Sequence, residues 1–131
     1  MGYGAYMTIN NTTASPVTTL VNNVTCMFDN GQEGSNLSLF NNATIPVGQR
    51  LPAGKGQYIE AKASGSCALD TSYFTVQLTS GASVKFSEHS NNYHGKSVPG
   101  MGVNINNSGK QAVITLTLYT LGSAEAAEFE D

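Results

Sequence analysis

AVITLTLY (112–119) reads as a β-strand and sets the expectation for the rest of the chain. Ala112, Ile114, Leu116 and Leu118 alternate with Val113, Thr115, Thr117 and Tyr119. A pleated strand sends successive side chains to opposite faces, so one face here is aliphatic and the other carries hydroxyls and a ring. The same period of two recurs upstream. YFTVQLT (73–79) puts Phe74, Val76 and Leu78 on one side. Ser80-Gly81 then signals a hairpin before ASVKF (82–86). MGVNIN (101–106) alternates Met101, Val103 and Ile105, and NNSG (106–109) turns into the last strand. AYMTIN (5–10) offers Ala5, Met7 and Ile9 to one face.

The intervening segments are shorter. VTTLVNNVTCMF (17–28) is long for one strand and is expected to bend or bulge near Asn22-Asn23. LSLF (37–40) and ATIPV (43–47) read as edge strands, since Pro46 cannot sit in a central one. LPAGKG (51–56) is a turn and QYIEAKA (57–63) a strand. The sum is about eight or nine short strands, the pattern of an all-β, single antiparallel β-sandwich over residues 1–121. Residues 122–131 form an acidic C-terminal tail, in which SAEAAEFE (123–130) suits a short helix.

Composition narrows the function. The 131 residues include only 11% charged side chains, against roughly 25% in an average soluble domain. Ser, Thr and Asn supply the polarity instead, which suits neutral ligands better than electrostatic steering. The net charge of −3 comes from the tail, with Glu125, Glu128, Glu130 and Asp131. Arg50 and the five lysines are scattered, so nucleic-acid binding is not expected. No apolar run is long enough to span a bilayer. MGYGAYMTINN (1–11) has no basic or apolar leader region, so no signal peptide is expected. Cys26 and Cys67 match no zinc or CxxC spacing. Two separate buried thiols are the preferred reading, with a disulfide as the alternative in an exported protein.

FSEHSNNYHGKSVPG (86–100) gathers both histidines with Glu88, Tyr93 and Lys96. His89 and His94 stand in an Asn- and Gly-rich segment without the helical HExxH spacing, so no metal is expected there. GKS (95–97) lacks the upstream glycine of a phosphate loop, and no G-x-S-x-G elbow appears. Asp29, Glu33, Glu60, Asp70 and Glu88 are the acids from which a catalytic pair would have to come. DNGQEGS (29–35) reads as a polar turn rather than a calcium loop, because Gly31 comes too early for an EF-hand. No enzyme and no cofactor are expected. The stretch reads as a strand end followed by a long presenting loop. Asn91, Asn92, Tyr93, His94, Lys96 and Ser97 are the expected ligand-binding residues. Two histidines there make any such binding pH-dependent between about pH 5 and 8.

One pattern extends along most of the chain. TINNTTASPV (8–17) leads to DNGQEGS, then to IPVGQRLPAGKGQYIEAKASGS (45–66) and the hairpin SYFTVQLTSGASVKF (72–86). NNYHGKS (91–97) and the closing GMGVNINNSGKQAVITLTLY (100–119) complete it. This order resembles the aegerolysins and related small haemolysin-like β-sandwich proteins. The resemblance implies a compact sandwich that binds membrane lipid headgroups, in some members together with a larger pore-forming partner. The chain departs from that family in having no Trp. A lectin-like module holding glycans through Asn91, Asn92 and Tyr93 is the alternative. A self-associating homo-oligomer packed through Thr115 and Thr117 is a third reading.

Overall fold

The computed structural model describes residues 3–31 and 34–129. They form eleven strands in two sheets. The strands are β1 (Gly4–Asn11), β2 (Val17–Thr25), β3 (Met27–Phe28), β4 (Ala43–Ile45), β5 (Arg50–Leu51) and β6 (Gln57–Ala61). They continue with β7 (Ser72–Leu78), β8 (Ser83–His89), β9 (Asn92–Gly95), β10 (Met101–Asn106) and β11 (Ala112–Leu118). The first sheet has the order β10-β11-β1-β6-β3, with β5 also paired to β1; the second is β4-β2-β7-β8-β9.

The class is as expected, but three details differ. The strands number eleven rather than eight or nine, because β3, β5 and β9 are only two to four residues long. Segments that short show no alternation and are set by pairing with neighbours. The first sheet is not wholly antiparallel: β1 runs parallel to β11, from Ala5 opposite Ala112 to Asn11 opposite Leu118. Strand direction leaves no trace in a period of two. LSLF (37–40) is not a strand but one turn of 3₁₀-helix. Its two core residues, Leu37 and Phe40, are three apart, which matches a three-residue turn.

The alternating aliphatic residues of both sheets fill one core. Met7, Ile9, Ile59, Ile114 and Leu116 come from the first sheet, and Phe74, Val76, Val84 and Phe86 from the second. Phe74 lies opposite Phe86 on β7 and β8, and their rings stack with centroids 5.1 Å apart. The register of β2 shifts between Asn22 and Thr25, and Asn23 has φ 53°, so the expected bulge is present. No helix among the described residues is long and apolar enough to cross a membrane.

The pairings also define two ends. Loops 12–16, 46–49, 79–82 and 96–100, with the exit of β11, cluster at one end. The bend of β2, loop 62–71 and turns 90–91 and 107–111 cluster at the other. From the first end the tail returns over the first sheet. Its 3₁₀ turn, Glu125–Glu128, buries Ala126. Phe129 stacks on Tyr119 at 5.5 Å, and its ring occupies the place a Cβ on Gly102 would take. Glu130 and Asp131 lie outside the described residues.

Candidate functional site

The stretch 86–100 is a tight hairpin and not a long presenting loop. Ser90 and Asn91 both have positive φ, 52° and 65°, between the paired residues His89 and Asn92. Left-handed geometry at both central positions gives a two-residue turn whose twist suits the flanking strands. Glu88 secures it, its Oε2 accepting from the Asn91 backbone N–H at 2.9 Å. The alternation then runs on through β9, which the turn signals had hidden.

That alternation decides what each expected ligand residue can do. Tyr93 is 1% exposed and belongs to the core. Its hydroxyl donates to the Tyr3 carbonyl at 2.8 Å, and the two rings lie 5.7 Å apart. Burial, reinforced by the nearby Glu88 charge, raises the Tyr93 pKa above its ordinary value. A ring held this way does not present itself to a ligand. Ser97 accepts from the Val103 backbone N–H at 2.8 Å, so its hydroxyl closes a turn. Asn92 donates to the Ser90 carbonyl at 3.2 Å. Asn91 and Asn92 sit at one end of the fold, while Lys96 and Ser97 lie beyond Gly95 on the way to the other. His94 stands exposed between them, opposite Ser87 on the outer face of the second sheet. The six residues do not converge on one point.

The other end holds a larger and more uniform feature. A cavity of about 610 Å³ is walled by Asn10 to Thr13, Val47 to Arg50, Ala53, Gly54 and Glu125. Buried Asn11 builds it. Its Nδ2 donates to the carbonyls of Ser15 and Ile45, each at 2.9 Å. Its Oδ1 accepts from the Thr13 N–H at 2.9 Å and from the Thr13 hydroxyl at 2.6 Å. The Asn11 backbone exchanges bonds with Gln49 and Gly48, at 2.9 and 3.0 Å. One side chain therefore fixes the β1–β2 turn against the loop after β4. Gly48 supplies the positive φ, 73°, that this loop needs to reverse. Asn10 is then opposite Arg50 across the β1–β5 pair. The sequence reading missed this cavity. NNTT (10–13) and VGQR (47–50) are far apart in the chain, and only the β1–β5 and loop contacts bring them together.

Cys26 and Cys67 form a disulfide, with Cα atoms 5.7 Å apart, which overturns the reading of two separate thiols. The bulge in β2 turns Cys26 toward loop 62–71, and residue type alone could not show that approach. Beside the bond lies a cleft of about 300 Å³ lined by residues including Lys62, Asp70, Glu88, His89 and Asn91. Of the candidate acids, Glu88 holds the Asn91 turn, and Glu60 is 0% exposed. Tyr58 donates to Glu60 Oε1, while Oε2 has no hydrogen-bond partner among the described residues. Gly4 makes room for that arrangement, since a Cβ there would strike the Tyr58 ring. Among the described residues no three His, Cys, Asp or Glu side chains are grouped to hold a metal. In DNGQEGS, Ser35 donates to the Phe28 carbonyl at 3.1 Å; Gln32 and Glu33 lie outside the described residues.

Comparison with protein-family models gave no match to this chain, and comparison with curated proteins gave none.

Proposed function

We propose that this protein is a non-enzymatic recognition module, a sandwich of two sheets whose loops at one end bind a carbohydrate. The observation that carries this is the cavity walled by Asn10, Thr12, Thr13, Gly48, Gln49 and Arg50. A sugar presents hydroxyls that both donate and accept. The Asn10 and Gln49 amides answer in both senses; the hydroxyls of Thr12 and Thr13, which donate to the Leu118 carbonyl and to Asn11 Oδ1, remain as acceptors, and glycines let the backbone approach closely. The volume lies within the range of small-molecule sites, roughly 300 to 1,000 Å³. The Cys26–Cys67 bond fits work in an oxidising compartment.

A glycan array with the wild type and an Asn10→Ala/Gln49→Ala double variant tests the reading. Selective binding that the variant loses while remaining folded supports it. Binding that the variant keeps, or an array without any signal, removes it.

The lipid binding implied by the aegerolysin resemblance has different residues to rest on. Leu69 is 95% exposed two residues after Cys67, and Val24 is exposed two residues before Cys26. An apolar side chain so placed can enter a bilayer surface. Sedimentation with sphingomyelin-containing liposomes, comparing wild type with Leu69→Ser, tests this second reading. Tyr93→Ala is unsuitable there, because it would empty a core position.

A further inference from the structure

The only arginine of the chain, Arg50, lines the cavity described above, and among the described residues the only carboxylate on its walls is Glu125. Arg50 is exposed, and β5 holds its backbone against Asn10. Lys55 adds a second cation nearby in the chain, held over the Tyr6 ring at 4.3 Å. Lys55 does not line the cavity, so in a chain so poor in charge it is the guanidinium on the cavity wall that calls for a physical reason. A neutral sugar needs no guanidinium. A carboxylate does: the planar fork offers two parallel N–H donors and never loses its charge. Glu125 reaches the cavity only because the tail is docked, with Ala126 buried and Phe129 stacked on Tyr119. The tail thus carries a carboxylate of its own to the cavity that contains the arginine.

We propose that this cavity takes an acidic sugar, of the uronic or sialic type, with Arg50 receiving its carboxylate and Glu125 acting as the chain's own competitor. This rests on the carbohydrate reading and adds the charge of the ligand to it. The surrounding amides and hydroxyls then meet the sugar's hydroxyls, while Arg50 discriminates acid from neutral.

Calorimetric titration of the full chain with glucuronate, N-acetylneuraminate, the methyl esters of both and glucose tests the proposal, at low and moderate salt. At least one acid should bind roughly tenfold or more tightly than its ester, since a hydrogen bond to a charged group outweighs a neutral one by about that factor. Arg50→Gln should abolish the difference with the fold intact by circular dichroism, because the Arg50 side chain is exposed. Glu125→Gln should tighten acid binding by removing the like charge. Equal binding of acid, ester and glucose at this cavity overturns the acid preference and leaves the carbohydrate reading standing. Acid binding unchanged by Arg50→Gln also overturns it. Failure of every sugar to bind overturns it together with carbohydrate recognition at this cavity.

Discussion

The side-chain amide of Asn107 makes, with the backbone of Tyr93, the two hydrogen bonds that a neighbouring strand would make. Tyr93 N–H donates to Oδ1 at 2.9 Å, and Nδ2 donates to the Tyr93 carbonyl at 3.0 Å. β9 is the last strand of its sheet and β10 the last of the other, so one residue bridges two sheet edges. It also blunts an edge that would otherwise offer unpaired backbone groups to another chain. Asn107→Ala should lower stability by about 1–2 kcal/mol, as two part-buried backbone groups lose their partners. Asn107→Asp keeps the acceptor and loses the donor, so it should fall between. Urea unfolding of the three proteins checks the order.

Tyr93 makes the fold sensitive to alkali. Its folded pKa is raised, chiefly by burial, above the ordinary value of 10.0. Below that value the tyrosine is neutral in both states, and its contribution to stability is complete. Above it the unfolded chain loses the proton and the folded chain keeps it, so stability falls as pH rises. The unfolding equilibrium constant should grow about tenfold per pH unit from this group. Tyr93→Phe should flatten that part of the profile at the cost of the bond to Tyr3. A pH series of unfolding midpoints from 8 to 12 measures both.

The disulfide closes a loop of 41 residues in sequence separation. Loop-closure entropy assigns such a link about 4 kcal/mol. Cys26→Ser/Cys67→Ser should therefore move the unfolding midpoint to clearly lower denaturant, with a steeper slope because the unlinked denatured chain exposes more surface. Wild-type protein unfolded without reductant should show no reactive thiol.

What was legible in the sequence was whatever depends on one strand at a time. AVITLTLY and YFTVQLT became β11 and β7 with the expected faces inward, and Asn22-Asn23 became the bulge. What stayed hidden depends on two segments meeting. The parallel pairing of β1 with β11, the approach of Cys26 to Cys67 and the cavity between NNTT and VGQR are all of that kind. The stretch 86–100 misled for a related reason. Its Asn, Gly and His content reads as a loop, yet pairing with β8 turns Tyr93 inward and makes it a core residue.

The tail can be released without unfolding the sheets. A Cβ on Gly102 would fall 2.4 Å from the Phe129 ring. That ring is only half-buried and can leave, so Gly102→Ala should undock residues 122–129 at little cost to the core. Cleavage by a glutamate-specific protease at Glu125 and Glu128 should become faster, while the urea midpoint changes slightly. Unchanged cleavage would mean that the tail is held by other contacts.

The most direct test of the account is a backbone amide NMR titration of the wild-type chain with the best glycan from the array. Shifts should gather at Asn10 to Thr13 and Val47 to Gly54, with Asn91 to His94 unmoved. Shifts centred on the Ser90-Asn91 turn, or spread without focus over the outer sheet faces, would contradict it.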